Sequence, residues 1–405
     1  MESRLDTIFI YSAIILSKKY SYFSYFMKIQ QISFQSNRWQ HISETKEFNP
    51  LKANLVFAFG ERKCLERIQP YQHIKNLYPL ADIVINSTSG EIFNDVAHND
   101  SIIVTAIEFE KTTIRTIQID INHHLESMNA GEYVANNLLS DDLKAIFVVS
   151  NGSNVNGSAL IAALNEKTNN KIFISGGLAG DGDRFEKTLV GLNEPPQPGK
   201  IVGIGFYGKC LKVGGGIKSG WEGFGPEREV TASEYNVLHR INDIAALDIY
   251  KEYLGKYAVD LPNIALLFPL SIRISDNDEP VIRTILSIDE VNKSMTFAGN
   301  MPKGSLVRFM KANLDRIIDA SAKAASNSIS AFETAPELAI VVSSSGRKLI
   351  LGQRTDEEIE TIRDIFGDET TITGFYSYGE IAPNQVGSPC DLNNQSITVT
   401  TFSEK

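Results

Sequence analysis

Three stretches of this chain repeat one pattern, and that repeat limits the possible folds more than any other feature. Val56–Gly60 (VFAFG), Val148–Gly152 (VVSNG) and Val341–Gly346 (VVSSSG) each read as a buried strand closing on glycine. A helical stretch and a second apolar run follow each of them, ending in a Gly-acid pair: Gly90-Glu91, Gly180-Asp181 and Gly379-Glu380. A third apolar run comes next: Ser101–Phe109 (SIIVTAIEF), Lys200–Tyr207 (KIVGIGFY) and Ser396–Phe402 (SITVTTF). The first and last copies are the most alike, STSGEI against YSYGEI. Strand, helix, strand, Gly-acid, strand is one supersecondary unit used three times. The fold class expected is α/β, with two domains of mixed β-sheets flanked by helices.

The middle copy, Lys171–Thr188 (KIFISGGLAGDGDRFEKT), runs from a short strand into Gly176, Gly177, Gly180 and Gly182, with Asp181 among them. Such an end exposes backbone N–H groups and a carboxylate, which suits close approach by a small ligand or another backbone. The plain alternative is a tight turn whose glycines supply positive φ. If the three ends converge, Glu91, Asp181 and Glu380 share a cleft, as acid–base groups or as a site for an amine. Otherwise each accepts hydrogen bonds from its own turn. Tyr376 and Tyr378 offer an aromatic wall beside Glu380, or simply packing. Arg347 is placed to hold a ligand carboxylate, or is a solvated surface arginine.

Residues 1–26 differ from the rest: the apolar core Ile8–Leu16 is too short to span a bilayer, and acids stand where a signal peptide wants bases. They are read as an extension before a true start at Met27. Ile29–Phe34 is a candidate edge strand, followed by polar sequence to Lys52; Glu61–Tyr78 is helical with a break at Pro70. Val213–Pro226, with six glycines, reads as a loop anchored by Trp221. Asn242–Leu254 is a helix, and the domain boundary is placed near His239, giving domains 27–240 and 241–405. Ile264–Phe268, Ile282–Leu286 and Ser294–Phe297 read as a strand meander, and Leu314 begins an alanine-rich helix. A further helix has Thr355 and Glu358 spaced as a capping box, a stripe of Ile359, Ile362 and Ile365, and Gly367 at its end.

A formal net charge of −10 without a dense Lys/Arg run argues against nucleic acid and anionic membrane surfaces as partners. Cys64, Cys210 and Cys390 are scattered and odd in number, which fits a reducing, cytoplasmic compartment. Gly203–Gly208 matches G-x-G-x-x-G but lies inside a strand, so the dinucleotide mechanism does not apply. Of the six histidines only His123-His124 are adjacent, and neighbours on a strand point to opposite faces.

These residues resemble the FIST family. STSGEI (Ser87–Ile92), GGLAGDG (Gly176–Gly182) with Thr188, and Gly220-Trp221 look like marks of its N-terminal domain. GFYSYGEIAP (Gly374–Pro383) with CDLNNQS from Cys390 is similar to the ending of its C-terminal domain. Two positions depart from the family pattern: Asn393 stands for its histidine and Ser396 for its threonine. The resemblance implies an intracellular sensory module that binds a small, amino-acid-like ligand and signals through a separate partner. Some stand-alone members are haem proteins that sense nitric oxide and regulate a histidine kinase.

Three functions follow. The first is a ligand sensor without turnover or cofactor, whose site draws on Ser87, Thr88, Gly90, Glu91, Gly177, Gly180, Asp181, Trp221, Arg347, Tyr376, Gly379 and Glu380. The second is a haem-based gas sensor with His239 as axial ligand. The third is an enzyme with Glu91 or Glu380 as general base. The absence of a nucleophile–base pair in the motifs favours the first.

Overall fold

The computed structural model describes residues 27–121, 126–261, 263–275, 280–385 and 387–404. The extension expected at residues 1–26 and the His123-His124 pair lie outside them. The chain opens with β1 (Met27–Gln35) and β2 (Arg38–Glu44). The first repeat is β3 (Leu55–Glu61), α1 (Arg62–Ile68) and α2 (Tyr71–Leu77) parted at Pro70, β4 (Asp82–Thr88), β5 (Glu91–Phe93), β6 (Val96–His98) and β7 (Ile102–Phe109). β8 (Thr113–Asp120) and α3 (Ser127–Leu138) lead to the second: β9 (Leu143–Ser150), α4 (Gly157–Lys167), β10 (Phe173–Leu178), β11 (Val190–Leu192) and β12 (Lys200–Tyr207).

After β13 (Leu211–Lys218) comes an insertion: β14 (Glu222–Glu234), β15 (Val237–Ile241), β16 (Ile244–Ala245), α5 (Ala246–Leu254), β17 (Leu270–Arg273), β18 (Val281–Arg283), β19 (Ile285–Asp289), β20 (Ser294–Phe297) and β21 (Leu306–Lys311). α6 (Leu314–Ser328) opens the third repeat, with β22 (Leu338–Ser344), α7 (Ser345–Leu351), α8 (Thr355–Phe366), β23 (Thr371–Ser377), β24 (Gly379–Pro383), β25 (Cys390–Asn393) and β26 (Ile397–Glu404).

In every repeat the first strand pairs in parallel with the second and antiparallel with the third: β3 with β4 and β7, β9 with β10 and β12, β22 with β23 and β26. The residues after each Gly-acid pair then leave their own sheet. β5 pairs with β23 of the third repeat, β24 with β10 of the second, and β11 with β4 of the first. The strand before each repeat joins that repeat's own third strand: β1 pairs with β7, β8 with β12 and β13 with β26. Three six-stranded sheets result, each completed by strands encoded elsewhere.

Their inner faces enclose one core. Side chains alternate along a strand, so Leu55, Phe57 and Phe59 of β3 point inward while Val56 and Ala58 pack beneath α1 and α2. Phenylalanine pairs join the sheets two at a time. Phe57 meets Phe147 at 5.6 Å, Phe59 meets Phe375 at 4.9 Å and Phe206 meets Phe402 at 5.0 Å, ring centre to ring centre. Each such ring contributes about 1.5–3 kcal/mol by leaving water. Strands covered on both faces read as continuous apolar runs, which is why all three copies stood out in the sequence.

Several local expectations need correction. Ile29–Phe34 is not an edge: β1 lies between β2 and β7. The glycine-rich stretch from Val213 is a strand as far as Lys218. Its glycines are there because α6 lies directly on it: a Cβ on Gly214 would fall 1.9 Å from the Ser328 carbonyl oxygen, and one on Gly216 2.0 Å from that of Ala324. Ile264–Phe268 forms a short 3₁₀ turn within Asn263–Leu267, and the strand starts at Leu270. Thr355 lies inside α8 and donates to the Gly352 carbonyl oxygen at 2.6 Å, so it caps nothing, and Glu358 is drawn into the core by Arg347. The inserted strands form a fourth, eight-stranded sheet with its own core around Leu247, Tyr250, Phe297 and Phe309.

Candidate functional site

The three Gly-acid turns do meet. Gly180 N–H donates to the Ser87 carbonyl oxygen (3.0 Å), Tyr376 N–H to that of Gly90 (2.8 Å), and Tyr378 N–H to that of Leu178 (3.2 Å). Each turn is thereby stitched to the next repeat. Gly180 must be glycine because a Cβ would fall 2.4 Å from Ser89 Oγ. Gly177 and Gly379 allow close packing against Val342 and Leu392, respectively, rather than facing a ligand. Ser87 Oγ donates to the Gly180 carbonyl oxygen (2.8 Å) and so belongs to the same seam.

The carboxylates, however, do not line one hollow. Glu91, Asp181 and Glu380 are each fully buried within their own set of donors. Glu91 accepts from Thr88 Oγ1 and Ser101 Oγ, both at 2.5 Å. Glu380 repeats that arrangement with Ser377 Oγ (2.7 Å) and with the N–H (3.1 Å) and Oγ (2.8 Å) of Ser396. Burial outweighs these bonds and pushes the Glu91 carboxyl up to about 7 and that of Glu380 up to about 8. Asp181 differs. Burial opposes its charge, but Arg62 (2.7 Å), Arg184 and the Lys187 N–H (3.2 Å) hold it below the usual range.

Arg347 does not reach a ligand site. It is fully buried, donates to Glu358 Oε2 (2.8 Å), and ties the Ser219 and Ile317 carbonyl oxygens together. Tyr376 is equally buried, with its hydroxyl on Glu358 Oε1 (2.8 Å). Trp221 packs among Ile317, Ile318 and Leu351, and its Nε1 donates to the Gln395 carbonyl oxygen (2.9 Å).

Two large cavities flank α7, whose Ser345 and Leu349 line both. The second, about 550 Å³, holds Thr88, Gly90 and Glu91 together with a residue the sequence reading passed over, Lys348. Lys348 Nζ donates to the Ser89 carbonyl oxygen (2.6 Å) and lies over the Tyr376 ring at 5.2 Å. A Cβ on Gly90 would fall 2.1 Å from that nitrogen, and Gly90 has φ +141°, so glycine is needed twice over. Burial lowers the Lys348 pKa, against the pull of Glu91, Asp100 and Asp356.

The first cavity, about 680 Å³, lies where the strand ends of the second and third repeats face the inserted sheet, and it has the size usual for a small-molecule site. None of the described residues lining it is charged. Phe185 and Tyr378 form a stacked pair there, with centroids 4.6 Å apart. Gln395 also lines it, fully buried, with neither Oε1 nor Nε2 hydrogen-bonded. An unpaired buried polar atom costs about 1–3 kcal/mol. Gln395 lies within CDLNNQS, and nothing local in that stretch marks it as a buried residue.

The described histidines stand apart from both cavities. His239 is half-buried in β15, His73 stacks on Trp39 at 4.5 Å, His98 bonds Gln35, and His41 bonds Glu44; none lines either cavity. No helix among the described residues is long and apolar enough to cross a membrane. Comparison with curated proteins gave no match. A model of the FIST N domain matches residues 54–244, and one of the FIST C domain matches 246–383. That family consists of sensory, ligand-binding signal-transduction domains. Matched by both models in sequence along most of its length, the chain belongs to the FIST family.

Proposed function

We propose that this protein senses a small ligand bound in the first cavity and passes the signal to a separate protein, such as a histidine kinase, without turning the ligand over. The observation that carries this reading is Gln395: a residue lining a cavity of ligand size, whose buried amide has no hydrogen-bond partner. The family supports a sensory role in general, and the cavity supplies a place for it. A thermal-shift screen of amino acids, nucleobases and haem against the full chain tests it. A ligand at one hundred times its Kd adds about 2.7 kcal/mol of stability, enough to raise Tm by several degrees. The shift should vanish in Ser153→Trp, which places an indole at the exposed rim of the cavity. Consumption of the ligand, a shift that survives Ser153→Trp, or a Soret band lost on His239→Ala would overturn the proposal.

An amino-acid-like ligand fits the second cavity better. Its ammonium and carboxylate need opposite charges, and the second cavity's lining carries both signs, Lys348 and Arg184 together with Glu61, Glu91, Asp100 and Asp356, whereas the first cavity offers none. Amino-acid binding lost on Lys348→Met but retained in Ser153→Trp would favour that site.

A further inference from the structure

Resting on the first cavity as the sensory site, we infer that its ligand is an uncharged, flat molecule presenting a cyclic amide edge, an N–H beside a C=O, to the side chain of Gln395. Three observations lead there. With no charged side chain among its described lining residues, the cavity gives a carboxylate or ammonium no partner to replace its hydration. The Gln395 amide offers one acceptor and two donors, and both of its polar atoms are buried and unpaired. A single planar group with a donor and an acceptor side by side satisfies both at once, as when a carboxamide reads a base edge in nucleic acids. Finally, the Phe185–Tyr378 pair, with rings 15° from parallel, gives an aromatic wall at the same cavity, and Leu286 and Leu349 add apolar surface.

The amide is also pre-positioned. Gln395 has φ +55°, a left-handed backbone conformation that non-glycine residues adopt only where their surroundings enforce it. Trp221 Nε1 fixes its carbonyl oxygen. Gly346 leaves room for the side chain: a Cβ there would fall 2.3 Å from Gln395 Nε2 and 2.5 Å from Oε1. The backbone that carries the amide is thus fixed, which limits the positions the side chain can take when it meets a hydrogen-bonding edge.

The experiment uses 2-pyridone, uracil and hypoxanthine as probes of the full chain by calorimetry. 1-Methyl-2-pyridone, in which the N–H is blocked, serves as the matched control, and phenylalanine and benzoate as charged ones. At least one cyclic amide should bind, and N-methylation should weaken 2-pyridone at least tenfold. Gln395→Leu should abolish that discrimination while raising the Tm of the unliganded protein, since it removes a buried amide that has no partner. Equal binding of 2-pyridone and its N-methyl form overturns the inference, as does absence of binding by every cyclic amide. Binding of phenylalanine or benzoate that Ser153→Trp abolishes would overturn the amide class and leave the cavity as the sensory site. Cyclic-amide binding that Ser153→Trp leaves intact would overturn both.

Discussion

Glu380→Gln should stabilise this protein at alkaline pH and flatten its pH dependence. The Glu380 carboxyl is fully buried, and its pKa is raised from an ordinary 4.5 to about 8. A carboxyl raised on folding holds its proton more tightly in the folded state, so its contribution is complete below pH 4.5 and lost as the pH climbs through 8. At about 1.4 kcal/mol per pH unit, the loss across that window is roughly 4–5 kcal/mol. Glu91, raised to about 7, works in the same direction. Glutamine keeps the geometry: its oxygen accepts the Ser396 N–H and its NH₂ faces Ser377 Oγ, with no charge to form. Urea denaturation at pH 5, 7 and 8.5 reads the result. The parent should weaken steadily, and the variant should overtake it by a few kcal/mol at pH 8.5. Parallel profiles, or a variant weaker at pH 8.5, would show that Glu380 is ionised in the fold and that burial does not control it.

Two further substitutions test the architecture. Arg347→Met leaves Glu358 buried without its partner and should cost about 3–5 kcal/mol in chemical denaturation, with most of it recovered in the double variant that also carries Glu358→Leu. Gly180→Ala pushes a Cβ to within 2.8 Å of the Ser89 backbone nitrogen, where relief requires the chain to move; a loss of about 1–3 kcal/mol by the same assay is expected.

The repeated strands were legible because burial on both faces leaves a continuous apolar run, which no later contact can disguise. Helices marked by a stripe and a terminal glycine were legible for the same reason: Ile359, Ile362 and Gly367 lie as their spacing implies. Close approach was not legible. Gly214 to Gly216 look like a loop until α6 is laid across them. Polar residues misled in both directions. Arg347 read as a ligand clamp or a solvated arginine and Glu358 as part of a capping box, and the two become a buried ion pair only once the chain has folded. Gln395 stood only within the CDLNNQS ending, and Lys348 drew no reading at all. Their surroundings come from segments tens to hundreds of residues away, so no local pattern announces them.

The borrowed strands carry a consequence for synthesis. The second sheet needs β24 and β25, which are translated only after every strand from β11 to β23, so β10 waits with an open hydrogen-bonding edge until they emerge. A nascent chain stalled before residue 379 presents that edge to any neighbour and invites aggregation. Emergence of β24 is thus the event that closes the second sheet, and a chaperone that shields the waiting edge would raise the yield.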